Sequence, residues 1–367
     1  MTLSPFIHRV LPLAVAALGL GLPLVEASRP SEQNLVGVTR REWVDSERSN
    51  WPGSGARPIR VTLWYPCDKN DAAEQAGDTG ERVTIYRDAH PATAQSRRPL
   101  VLISHGSGGR AEQMAWMAHA LARSGMIAAA VDHNGNDDEE CHRSRPTLTD
   151  FFAWERARDL SVVLDRILED PMFAETVDEA RIGAAGFSLG GTTALWLAGA
   201  RLDLDTLRLN SPPPPPAIAE AIESLIAYSK VDPVALESVA RAGRSYRDPR
   251  VRAVFALAPP MGAGFTPAGL RDADVPALIV VGDADPIAPA EPNARHFAAH
   301  MPRAHLVVVP GERGHYVRPI PDAQRHAEMQ EIARMTVGFF NESWAANAEA
   351  RLRDDKDGRV ALRDHGR

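Results

Sequence analysis

Between residues 99 and 310 the chain repeats one pattern: short, almost unbroken apolar runs that stop at Gly, Asp, Asn or His. The runs are "PLVLISHG", "MIAAAVDHNGN", "RIGAAGFS", "VRAVFALAP", "VPALIVVGDAD" and "AHLVVVPGERGH". Runs apolar at successive positions suit strands covered on both faces, as in a parallel sheet. Segments of helical period lie between them. In "RARDLSVVLDRILED", Leu160, Val163, Leu164 and Ile167 recur at helical spacing, with Arg156, Asp159 and Asp165 expected elsewhere on the wheel. "AEQMAWMAHALARSG", "NARHFAAHM" and the stretch from His326 to Phe340 read the same way. Ahead of this region "IRVTLWYPC" and "ERVTIYRDA" carry the β-branched and aromatic residues of an antiparallel start. The alternation predicts an α/β fold, with a mostly parallel central sheet and helices on both faces.

Three segments depart from that rhythm. Residues 1–27 place His8 and Arg9 before an apolar stretch from Val10 to Val25, with small residues at Val25 and Ala27, the pattern of a secretory signal cut after Ala27. The stretch is short for a membrane span and is interrupted by Pro12 and Pro23, so no stable membrane insertion is expected after its removal. Residues 201–250 contain a polyproline tract from Pro212 to Pro216 and short amphipathic pieces, too much for a simple connection. They are expected to form a cap inserted over the carboxyl edge of the sheet. Residues 346–367 are charged and weakly apolar, and are read as a solvated tail, leaving 28–345 as the folded domain.

A net charge of −7 with scattered arginines excludes a phosphate-backbone footprint, so no nucleic-acid partner is expected. Two cysteines, Cys67 and Cys141, permit one disulfide in an exported chain.

The chemistry concentrates in "RIGAAGFSLGGTTALWLAG". Gly186, Ser188 and Gly190 form G-x-S-x-G between an apolar strand and a helix, the setting in which a serine is held on a strained, exposed turn. A serine hydroxyl needs a base. Among the 12 histidines, His315 stands in a glycine-bearing loop after the last apolar run, where Gly311 and Gly314 let the chain bend back over the sheet edge. The histidine needs a carboxylate, and "VVGDADPIAP" offers Asp283 and Asp285. Strand alternation puts both on one side and cannot choose between them. Asp285 precedes Pro286, which fixes the backbone at the rim, and is the assigned acid. In "LISHGSGGR", Gly106, Gly108 and Gly109 free the backbone to turn N–H groups inward, so the amides of Ser107 and Leu189 are the expected oxyanion donors. The P-loop's Gly-Lys-Ser/Thr is absent from this loop, which removes the phosphate-binding reading.

In the order "SHGSGG", "GFSLGG", "VVGDADPIAP", "PGERGH", with "LWYP" and "RARDLSVVLDRIL" before them, the chain resembles the dienelactone-hydrolase-like branch of the α/β-hydrolases. The resemblance is closest to bacterial proteins grouped with platelet-activating-factor acetylhydrolases, and it covers roughly residues 35 to 340. It implies the α/β-hydrolase fold and serine chemistry in the order Ser188, Asp285, His315. Dienelactone hydrolases proper use a cysteine nucleophile, which argues against that named reaction here. The animal acetylhydrolases take their acid after the sixth strand, where "FALAPPMGAGFTP" has no carboxylate, so phospholipid specificity does not carry over.

The cluster "DHNGNDDEECH", residues 132–142, is read as a solvated acidic loop beside the site, because it lacks fixed metal-ligand spacing. The expected mechanism uses neither metal nor cofactor. The expectation is an exported hydrolase of small or short-chain carboxylic esters with a small-molecule ester as its partner. An amidase or peptidase with the same residues, and a non-catalytic binding protein on the same fold, remain open.

Overall fold

The computed structural model describes residues 34–345 except 70–72, 79–80, 95, 137–151, 211–222, 224–225, 311–313 and 316–321. The signal sequence, the polyproline tract, Cys141, Gly311 and the charged tail therefore lie outside the described residues.

Ten strands form a single sheet: β1 (Leu35–Ser49), β2 (Ala56–Cys67), β3 (Ala73–Asp78), β4 (Glu81–Arg87), β5 (Arg98–Ser104), β6 (Ile127–Asp132), β7 (Val177–Phe187), β8 (Val251–Leu257), β9 (Ala277–Gly282) and β10 (Ala304–Val309). Their spatial order is β10-β9-β8-β7-β5-β6-β2-β1-β4-β3. Every neighbour pair from β6 to β10 is parallel, whereas β2 runs antiparallel to both β6 and β1. The expected antiparallel start is therefore present, and longer than its apolar signal. β1 and β3 are polar sequences, "LVGVTRREWVDSERS" and "AEQAGD", and become strands by pairing rather than by pattern.

The alternation of side chains along β5 shows why the inner strands are apolar throughout. Leu100 and Leu102 enter one hydrophobic core, and Val101 and Ile103 enter the other. The first core is closed by α2 (Glu155–Glu169), α3 (Leu189–Ala198) and α7 (Ala294–His300), through Leu160, Trp196 and Phe297. The second is closed by α1 (Ala115–Arg123) and α8 (Asp322–Ser343), through Met117, Leu121 and Phe340. α3 is buried on every side, which accounts for a sequence without charges, and its two threonines donate to the carbonyls of Pro260 and Leu189.

The chain moves outward from β5 to β6, then returns to place β7 on the other side of β5. That reversal opens a crevice at the carboxyl ends of β5 and β7, the position at which open α/β sheets bind their ligands. The two strands are in register there, Ser104 pairing with Gly186.

The helical pieces of the insertion among its described residues are α4 (Leu204–Asn210), a short helical segment at 226–229 and α5 (Pro233–Val239). Asp232 caps α5 by accepting from the Ala235 N–H, with Pro233 in the first turn. The short helix α6 (Pro267–Leu270) follows β8.

The structure corrects the reading of α2. Arg156 and Asp159, expected off the apolar face, are buried, Asp159 completely. The spacing explains it: Arg156 stands four residues before Leu160, and Asp159 four before Val163, so both fall on the apolar stripe. The charge of Asp159 is met inside the protein by Arg48 and Arg57 rather than by water. Cys67 is buried with its thiol free, so the structure gives no support to a Cys67–Cys141 disulfide.

Candidate active site

Ser188 lies between the end of β7 and the first turn of α3, with φ 53° and ψ −124°, a combination that costs a non-glycine residue on the order of 1–3 kcal/mol. Its neighbours hold it there. The Ser188 N–H donates to Leu257 O at 2.8 Å, and its carbonyl accepts from Gly191 N at 2.8 Å. The flanking glycines are sterically required. A Cβ on Gly186 would stand 2.1 Å from Gly190 O, and one on Gly190 would stand 2.0 Å from Ser104 O. The turn packs so closely on β5 that only hydrogen fits.

His315 and Asp285 converge on this serine. His315 Nδ1 lies 2.7 Å from Asp285 Oδ2, and Nε2 lies 2.9 Å from Ser188 Oγ. An ionised carboxylate only accepts, so the ring proton sits on Nδ1 and the Nε2 lone pair faces the hydroxyl. All three residues are buried, Ser188 the most open at 8%. The Phe187 ring packs 5.0 Å from the His315 ring.

Asp285 is held on its other oxygen. Oδ1 accepts from Ile287 N at 2.9 Å and Ala288 N at 2.8 Å, both supplied by the turn after Pro286. Burial opposes its charge, but the hydrogen bond to His315 and the two N–H groups outweigh it and keep the carboxyl below its usual range. Asp283 does not share this position: its side chain is exposed, and its N–H is bonded to Val309 O at 3.0 Å. The strand ends at Gly282, so alternation no longer governs the two residues, and the turn sends them apart.

The loop after β5 borders the serine. A Cβ built on Gly106 would lie 3.5 Å from Ser188 Cβ, and Ser107 is exposed beside it. Leu189 opens α3, so its N–H is among the first-turn donors for which a helix has no internal acceptor.

A group of buried charges behind this loop escaped the reading of the sequence. Asp159 Oδ1 accepts from Arg48 at 2.6 Å and Arg57 at 2.7 Å, and Oδ2 accepts from Arg57 and from His133 Nδ1, each at 2.9 Å. Glu155 accepts from Arg48 at 3.1 Å, and from Ser238 and Arg241 of the insertion, each at 2.8 Å. Trp154 Nε1 also donates to Ser238 O at 3.0 Å. These bonds fasten the insertion to the start of α2, at the carboxyl edge of the sheet. His133, read as part of a solvated acidic loop, is completely buried; Asp137 to His142 lie outside the described residues.

No family model matches the chain. Over 106 residues it is 31% identical to cutinase est2 from Thermobifida alba, covering 28% of this chain and 31% of that one. It is 30% identical to cutinase cut1 from Thermobifida fusca over 106 residues, covering 28% and 29%. These matches span about a third of the curated relatives' length. A solved structure, a ferulic acid esterase from Streptomyces cinnamoneus, superposes with a TM-score of 0.58 at 21% identity, over 86% of this chain and 91% of that one. With a parallel sheet reversing at β5, an antiparallel start, helices on both faces and this superposition, the chain has the α/β-hydrolase fold.

Proposed function

We propose that the chain is a serine hydrolase of carboxylic esters, exported by way of residues 1–27. The observation that carries this reading is the strained Ser188, with His315 Nε2 2.9 Å from its hydroxyl and Asp285 on the far side of the ring. In the proposed reaction Ser188 Oγ attacks the ester carbonyl as Nε2 takes its proton. Asp285 holds the ring in the required tautomer and balances the imidazolium. The amides of Ser107 and Leu189 receive the negative charge that develops on the carbonyl oxygen. His315 then protonates the departing alcohol, and water, activated by the same histidine, releases the acid.

The names of the similar proteins, cutinase and ferulic acid esterase, support an ester as substrate. The insertion is fastened to α2 through Ser238 and Arg241, and as the proposed cap it would bound a small acyl group, so short-chain acyl esters are the proposed class. The finer placement, in the dienelactone-hydrolase-like branch, rests on the sequence motifs. No metal or cofactor enters this scheme.

The test is labelling by a fluorophosphonate probe together with turnover of p-nitrophenyl esters of graded chain length and the matching anilides. Labelling and fastest turnover of the short esters are expected, with both lost in Ser188→Ala. Anilide turnover above ester turnover would move the assignment to an amidase. An unlabelled, inactive but folded chain would leave a binding protein on a hydrolase fold.

A further inference from the structure

Beneath the loop that borders Ser188 runs a second serine–histidine–aspartate chain. Ser104, the last residue of β5, His133, just past β6, and Asp159, on α2, are all completely buried. Asp159 Oδ2 takes the proton on His133 Nδ1 at 2.9 Å, so Nε2 is left to accept the Ser104 hydroxyl, also at 2.9 Å. Arg48 and Arg57 fix the carboxylate from the opposite side. Without solvent or substrate access, Ser104 has no nucleophilic role. The arrangement therefore needs another purpose.

The connections of the loop supply one. The His133 N–H reaches His105 Nε2 at 3.3 Å, and His105 Nδ1 lies 2.6 Å from Gly106 O and 3.1 Å from the Arg156 guanidinium. Arg156 donates to the His105 carbonyl. Farther along, Gly108 N donates to Asn136 Oδ1 at 3.2 Å and Ala111 N to Asp132 Oδ1 at 2.6 Å. The path from Ser104 to Ala111 is thus shaped by groups from residues 132–136 and 156–159. Ser104 also meets the nucleophile's turn, because Gly190 packs directly on its carbonyl. One residue therefore touches both halves of the site.

We infer that Ser104, His133 and Asp159 are positioning residues, which set the amide of Ser107 relative to Ser188 for binding the oxyanion. The inference rests on the hydrolase reading above. Burial, reinforced by Arg156, pushes the His133 pKa down to about 3. The ring therefore stays an acceptor for Ser104 at any working pH, and the relay holds one tautomer.

The experiment uses the full chain carrying Ser104→Ala, which removes the hydroxyl, or His133→Asn, whose amide can still donate to Asp159 but no longer reaches Ser104. Fluorophosphonate titration fixes the concentration of competent sites, so that kcat is counted per labelled serine and unfolded protein drops out. Both variants should lose about tenfold or more in kcat on p-nitrophenyl acetate with KM within about twofold, as for a misaligned transition-state donor. Inhibition by a trifluoromethyl ketone, whose adduct carries the oxyanion, should weaken by a similar factor. Ser104→Cys, which keeps a weak donor, should recover part of the loss. Unchanged kcat per labelled site and unchanged ketone affinity, with only thermal stability lowered, would overturn the inference and leave the relay a fold element. A parent that neither labels nor turns over would instead overturn the hydrolase reading, and this inference with it.

Discussion

Acid should destabilise this protein well above the carboxylate range, because two histidines are buried in neutral form. His133 and His105 are fully enclosed. Burial, then the nearby Arg156 charge, lowers both pKa values from 6.5, that of His133 to about 3. In the unfolded chain both rings take up a proton as the pH falls through 6.5, while the folded protein cannot, so the unfolded state binds more protons and stability falls with pH. His133 contributes a slope of about 1.4 kcal/mol per pH unit between 6.5 and about 3, so it alone removes on the order of 2 kcal/mol from pH 6.5 to 4.5, and His105 acts in the same direction. That is a sizeable share of the whole stability of many domains, about 5–15 kcal/mol. The carboxylates add to the trend only lower down. Asp159 and Asp285 have folded pKa values below 3.8, so their contribution is intact above 3.8 and is lost as pH falls through the depressed values. Urea unfolding at pH 7.5, 6.5, 5.5 and 4.5 measures the curve. Proton uptake on unfolding is expected near pH 5, and it should fall by about one proton in His133→Asn. Stability that stays level from pH 7 to 5, or a slope indifferent to that substitution, would refute the assignment of neutral buried rings.

Two substitutions test the site more directly. Asp285→Asn should lower kcat by about four orders of magnitude, because the amide can hold His315 in the wrong tautomer, whereas Asp283→Asn at the exposed position should leave ester turnover close to the parent's; steady-state kinetics on p-nitrophenyl acetate decide, and the reverse ranking would exchange the two roles. Gly190→Ala should cost about 3 kcal/mol or more, since its Cβ would stand 2.0 Å from the backbone carbonyl of Ser104; a thermal midpoint equal to the parent's would show that the turn has room the structure denies it.

What the sequence made legible follows from what each kind of residue answers to. The inner strands were readable because both of their faces meet apolar cores, and "LVLI" can serve no other purpose in β5. The turn that holds Ser188 is readable because its close packing requires Gly186 and Gly190, and glycine is visible in a string of letters. β1 and β3 were hidden, since strands so polar are recruited by hydrogen bonding to neighbours that local pattern does not reveal. The choice between Asp283 and Asp285 turned on where β9 ends, a boundary of one or two residues that periodicity cannot resolve. The buried charges were misread for a different reason. Arg156 and Asp159 stand at the correct spacing for the apolar face, but a charge there is acceptable only if its partners arrive: those of Asp159, namely Arg48, Arg57 and His133, lie on other strands and loops, and Arg156 donates to the His105 carbonyl of the loop after β5. The spacing carried the signal, and the polarity of the letters concealed it.

The two serine–histidine–aspartate chains also show why such a constellation does not define a reactive centre by itself. Their hydrogen-bond distances are nearly equal: 2.7 and 2.9 Å around His315, 2.9 and 2.9 Å around His133. What separates them is the backbone that carries each serine. Ser104 ends a strand in ordinary pairing with β6 and β7, and its side chain is sealed between the sheet and α2. Ser188 is lifted by a positive φ onto the turn before α3, at the mouth of the crevice, with a helix N-terminus behind it. The acids differ in the same sense. Asp159 is neutralised by two arginines, which lower its capacity to stabilise a new positive charge on His133, whereas among the described residues Asp285 is hydrogen-bonded by the N–H groups of Ile287 and Ala288 and by the ring of His315. A cation formed on His315 therefore finds a carboxylate whose charge is still available, and one formed on His133 would share its carboxylate with Arg48 and Arg57. Under the proposed function, one chain moves a proton and the other holds it still.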